Sequence, residues 1–223
     1  MAVIRVKPGV VTAGDTTYPE LRGSRKGGLV SQDVGGRYEE ATYRNAVYSL
    51  STASTGVALA AVNLVTTAIG TFQPILAVYN PLTSPVRLSI LQAWMGFSAV
   101  PVSTAVSGAF FFVGNSGQSI SNAASATPFN CGTFKASGSQ AIGITNAVLA
   151  GAVGNAILIR PVTSNIAVVA EPATANTILG NIIMEEVAGS FVVPPGAYLG
   201  LGNGTSTTTG TVVAGMTWEE IPS

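Results

Sequence analysis

The sequence predicts an all-β fold: a jelly-roll-like two-sheet sandwich preceded by an extended N-terminal arm. Three observations carry this. From Asn45 onward, short runs rich in Val, Ile, Phe, Tyr and Thr are cut by Gly, Pro, Asn and Ser, which is a strand-and-turn pattern. The charges are segregated, with twelve of the twenty in the first 44 residues. Finally, 223 residues suit one domain, or one domain with an arm, and a chain of that size buries a core without covalent staples.

Residues 1–44 form the expected arm. They are polar, charged and rich in Gly, and no helical or strand periodicity persists through them. Such a segment buries little alone and orders against a partner surface. Residues 45–223 form the expected β-domain. Strands are predicted near 46–52, 57–64, 75–80, 87–96, 109–114, 141–148, 156–161, 166–170, 181–187, 190–193, 197–202 and 211–219. Asn80-Pro81, Ser84-Pro85, Gly114-Asn115, Gly154-Asn155, Pro194-Pro195-Gly196 and Asn203-Gly204 mark turns between them. The Ala-rich stretches 57–61 and 147–152 admit a helical alternative, weakened in the second by Gly151.

The last strand is the clearest. Val212, Ala214, Met216 and Trp218 alternate with Val213, Gly215, Thr217 and Glu219, giving one apolar face. Residues 197–201 and 211–219 flank GNGTSTTTG, so a long hairpin is the simplest expectation. A dozen short strands then imply a two-sheet sandwich of jelly-roll type.

Composition excludes several chemistries. There is no His and a single Cys, which removes Ser-His-Asp and Cys-His catalysis and multi-Cys zinc sites. Cys131 reads as a small buried or half-buried residue. Only Arg87, Lys135 and Arg160 are basic after residue 44, too few and too scattered for a nucleic-acid surface. Residues 45–86 and 88–134 are free of charge, which invites a membrane reading. Polar and turn-forming residues interrupt both windows that approach spanning length, 54–72 and 141–159. No secretory signal is visible at the N-terminus. No cofactor and no resident metal are expected; a divalent ion among interface acids is a weak alternative, without EF-hand spacing to support it.

The remaining candidates are interface residues. Arg22, Arg25, Lys26, Arg37, Tyr38, Tyr43 and Arg44 in the arm combine residue types enriched at interfaces. Gly200–Gly204 superficially resembles a phosphate loop but lacks the Lys and helix, so a Gly-rich turn is expected. The sequon Asn203-Gly204-Thr205 reads as turn chemistry. A glycosidase would have to combine Glu171, Glu185 and Glu219 across sheets. A sugar-binding surface would draw on Trp94, Trp218, Tyr79 or Tyr198, each of which also suits a core.

Two segments carry a resemblance. LRGSRKGGLVSQDVGGRYEEATYRNAVYSLSTASTGV (21–57) and FVVPPGAYLGLGNGTSTTTGTVVAGMTWEEIP (191–222) resemble virion structural proteins of tailed bacteriophages. Segment 191–222 is similar to the end of a β-sandwich or jelly-roll domain from that group. The resemblance implies a particle component, such as a head decoration protein, a capsid-associated fibre or a tail component, and favours a trimer. The function expected is therefore that of a non-enzymatic virion structural protein. It would form a homotrimer and dock through residues 1–44 on the major capsid protein or another virion protein. The alternative is a tail or fibre protein that binds a receptor or glycan.

Overall fold

The computed structural model describes residues 38–58, 73–99, 106–107, 109–115, 126–136, 138–149, 157–161, 166–167, 183–203 and 211–223. The chain divides into two compact units, Met1–Glu40 and Ala41–Ser223. Among the described residues, one short helix, α1 (Glu39–Tyr43), precedes thirteen strands. These are β1 (Val47–Ser51), β2 (Val57–Ala58), β3 (Leu76–Tyr79), β4 (Val86–Ala99), β5 (Val106–Ser107), β6 (Ala109–Asn115) and β7 (Phe129–Asn130). They continue with β8 (Ile142–Ile144), β9 (Ile157–Pro161), β10 (Ile166–Ala167), β11 (Ile183–Val193), β12 (Ala197–Asn203) and β13 (Thr211–Pro222).

The strands build two antiparallel sheets. Sheet I has the order β11-β4-β13-β1-β7, with β2 paired to the start of β13; sheet II has the order β8-β3-β12-β6-β9. Without the outermost β7 and β8, the chain visits sheets I, II, I, II, II, I, II and I through β1, β3, β4, β6, β9, β11, β12 and β13. That alternation and those neighbours make an eight-stranded jelly roll. β5 and β10 pair as a separate two-stranded ribbon.

Alternation seals the space between the sheets. Val212, Ala214, Met216 and Trp218 of β13 are fully buried, as their period predicts. They meet Leu88, Ile90, Ala93, Leu76, Val78, Phe111, Leu199 and Leu201 in one cluster. Trp218 stacks on Tyr48 of β1 with ring centroids 6.3 Å apart. A smaller cluster covers the other face of sheet II. Tyr79, Phe112, Ile144 and Tyr198 lie there, joined by Leu149 from the segment after β8.

Several expectations need correction. Residues 197–201 and 211–219 do not form a hairpin. β12 lies between β3 and β6 in sheet II, whereas β13 lies between β1 and β4 in sheet I. Both strands are rich enough in apolar residues to be central, and each sheet takes one. The predicted strands 181–187 and 190–193 are one strand, β11. Its register against β4 breaks between Glu186 and Phe191, and Ala188 and Gly189 there have φ of 54° and 79°. Two successive positive φ values describe a tight turn, here held as a bulge inside the strand. Gly200 to Asn203 are strand, not turn. A Cβ at Gly200 would meet the Leu76 carbonyl oxygen at 2.6 Å, so this glycine serves close packing.

Other bounds shift. The strand expected over 141–148 is only Ile142–Ile144, and residues 145–149 are irregular, neither strand nor helix. Val57 and Ala58 are strand, not helix; 59–64 and 168–170 lie outside the described residues. β5 and β7, two residues each, carry no periodicity to read.

The arm expectation is also corrected in part. Residues 39–43 are helical, and residues 1–37 lie outside the described residues. Glu39 and Glu40 occupy the first turn of α1, where carboxylates favour a helix. Its end is a Schellman cap: Ala46 N–H donates to Ala41 C=O (3.0 Å) and Asn45 N–H to Thr42 C=O (2.9 Å). Asn45 sits at φ 57°, a conformation Asn tolerates.

Among the described residues, no helix is long and apolar enough to cross a membrane.

Candidate functional site

The described arm residues sit around α1. Tyr38 is half-buried, Tyr43 is 80% exposed, and Arg44 is exposed. Arg22, Arg25, Lys26 and Arg37 lie outside the described residues. Below α1, Asn130 anchors the loop 130–135. Its amide donates to Asn45 C=O (2.7 Å), and its side-chain oxygen accepts from Gly132 N–H (2.9 Å) and Thr133 N–H (3.0 Å). The chain entering β1 is therefore pinned by a buried polar side chain with partners at both ends. Cys131 in this loop is half-buried, and desolvation pushes its thiol up. That is the opposite of an activated thiolate.

A different surface was not anticipated from sequence. β9 and β11 close their sheets on the same side of the sandwich, and each has one strand partner among the described residues. Ile157 and Ile159 on β9 are 65% and 38% exposed; Met184 and Val192 on β11 are 60% and 49% exposed. A cleft of about 420 Å³ opens between these strands, lined by Val113, Ile157, Phe191, Val192, Pro194 and Leu199. Phe191 makes an edge-to-face contact with Phe111 at 5.4 Å, which ties the cleft to the core. The available signal was Ile157-Leu158-Ile159 and Phe191-Val192-Val193, where apolar residues occupy both phases of the alternation.

Beside this cleft stands Tyr198. Its ring occupies the space where Gly114 lacks a Cβ, and its hydroxyl is buried with no hydrogen-bond partner among the described residues. Desolvation pushes its ionisation up to about 12.

No family model, no curated protein and no solved structure matches this chain.

Among the described residues, Glu185 and Glu219 do not form a carboxylate pair. Glu185 stands opposite Ala93 of the inter-sheet core, whereas Glu219 stands opposite Ser89 on the outer face of sheet I. They therefore point to opposite faces and cannot flank one glycosidic bond. Glu220 is engaged structurally, accepting from Ser139 Oγ (2.7 Å) and Gln140 N–H (2.9 Å). Glu171 lies outside the described residues. No group of three or more His, Cys, Asp or Glu side chains gathers among the described residues. Of the sugar-site aromatics, Trp218, Tyr79 and Tyr198 are sealed in the core. Trp94 alone is half-exposed.

Proposed function

We propose that this chain is a non-enzymatic virion structural protein, a decoration or stabilising component that assembles as a homotrimer. In this reading residues 1–44 dock on the major capsid protein or another virion protein. The observation that carries the assembly half is the exposed apolar edge formed by Ile157, Ile159, Met184 and Val192. Large aliphatic side chains stay exposed on both edge strands although β11 also carries Glu185 and Glu186 and β9 carries Arg160, and contiguous exposed apolar surface marks an interaction site. Here a second copy is the fitting cover, and the trimer requires that the edge of one copy meet a different surface of the next with a rotation that closes. The jelly-roll topology, the low charge of residues 45–223 and the resemblance of segments 21–57 and 191–222 to phage virion proteins support the rest.

Two measurements test the halves separately. Light scattering on the purified chain is expected to give a trimer, and Ile157→Lys with Val192→Lys to give a monomer with native circular dichroism and a thermal midpoint no longer raised by assembly. A wild-type monomer at micromolar concentration sinks the assembly half. For docking, particles reconstituted with a variant lacking residues 1–44 are expected to carry none of it. Wild-type occupancy by that variant sinks the docking half.

A further inference from the structure

We propose that the outer face of sheet I binds a neutral carbohydrate, with the Trp94 indole as the surface on which one sugar ring stacks. Trp94 belongs to β4 and is paired across the sheet with Gly215 of β13 on one side and Met184 of β11 on the other. A side chain at Gly215 would collide with the six-membered ring and the Nε1 edge of Trp94. The missing Cβ thus lets the indole lie down across β13 instead of standing off the sheet. One ring face is seated on backbone, and the residue stays half-exposed. An aromatic surface held this way presents its π face to the C–H groups of a pyranose at little conformational cost.

The next row of the same face supplies the polar complement. Gln92, Thr217 and Ser49 stand side by side on β4, β13 and β1. Gln92 donates to the Met184 sulfur at 2.7 Å, and Thr217 Oγ1 donates to Ser49 Oγ at 3.2 Å. These contacts fix the side chains in rotamers while leaving acceptor oxygens on Gln92 and Thr217. Amide and hydroxyl groups beside an aromatic ring match a ligand with a C–H face and a rim of hydroxyls.

Charge selects among ligands of that shape. Glu186 pairs with Gln92 in register, and Glu219 follows Thr217 on the same face. With Glu186 and Glu219 at the margin and Arg87 further along the same face, the charge near Trp94 is net negative and disfavours phosphate, sulfate and acidic sugars. Neutral hexoses and N-acetylhexosamines remain. Met184 is common to this face and to the exposed apolar edge, whereas Trp94, Gln92, Thr217 and Ser49 lie outside the β9 cleft.

The test uses the full chain on an array of neutral, sialylated and sulfated oligosaccharides, followed by fluorescence titration of the best neutral binder. Trp94 and Trp218 are the two tryptophans, and Trp218 is sealed in the core. Sugar-dependent changes in acrylamide quenching therefore report Trp94. Trp94→Ala is expected to weaken binding by about tenfold or more, Trp94→Phe to retain part of it, and Gln92→Ala to weaken it with unchanged circular dichroism. The proposal is overturned by an array without neutral binders, or by binding restricted to acidic glycans. Binding that survives both Trp94→Ala and Gln92→Ala, or a Trp94 fully shielded from acrylamide in the free protein, also overturns it.

Discussion

β13 and β11 are nearly equal in length, twelve and eleven residues, and belong to the same sheet. They do opposite things. β13 is paired on both sides, and its inward residues Val212, Ala214, Met216 and Trp218 are fully buried. β11 is paired on one side among the described residues, breaks register at Ala188-Gly189 and leaves Met184 and Val192 exposed. The centre of the sheet is where the fold is stabilised. Its edge is where apolar surface stays exposed. Substitutions at the centre should therefore register as lost stability, and those of the exposed edge side chains Met184 and Val192 as altered association in the proposed assembly.

The largest effect falls at Trp218. Trp218→Ala removes the biggest buried side chain and its stack on Tyr48, and is expected to cost about 3–5 kcal/mol. Urea unfolding checks this; a loss under about 1 kcal/mol would place the core elsewhere.

An intermediate effect is expected at Tyr198, on the central strand of sheet II. Its ionisation is raised from 10 to about 12 in the fold. Between those values the unfolded chain has released the phenolic proton while the folded chain still holds it. Stability is therefore untouched below about pH 10 and falls as pH rises from there toward 12. Tyr198→Phe keeps the ring, removes a buried hydroxyl with no partner among the described residues and is expected to shift alkaline unfolding to higher pH. Alkaline titration followed by circular dichroism reads the shift. Coincident curves for both proteins would remove Tyr198 from the account.

The smallest effect is at the edge. Ala188 holds φ 54° in the β11 bulge, a left-handed conformation that costs a non-glycine residue about 1 kcal/mol. Ala188→Gly is expected to raise stability by up to that amount and leave association unchanged. A lowered thermal midpoint would show that the methyl group packs against something and matters more than the backbone.

Legibility in the sequence followed the same division. The face of β13 was readable because Val212, Ala214, Met216 and Trp218 keep strict period two next to polar or small neighbours. Which sheet received it was not readable. GNGTSTTTG is long enough to hairpin or to cross between sheets, and the choice depends on partners more than a hundred residues away. β11 reads as two strands because Ala188-Gly189 has the chemistry of a turn, and locally it is one; only pairing to β4 on both sides makes it a bulge. α1 was missed since five residues are too few to show a 3.6-residue period. Trp94 and Trp218 are indistinguishable by type. What separates them is the glycine opposite Trp94, a residue that weakens a strand unless something must approach it closely.

The placement of β12 and β13 also has a consequence for how the chain is made. Each is an interior strand of its sheet, and both follow in chain order the strands they join. A nascent chain that has reached Pro195 possesses β11-β4 and β1-β7 but nothing to join them, and β8-β3 and β6-β9 with the same gap. Until residues 197–222 emerge, four strand edges that end up paired stand open. Each is a template for intermolecular pairing. Synthesis through residue 222 is thus what closes these edges, and a chain halted before Ala197 would keep all four open.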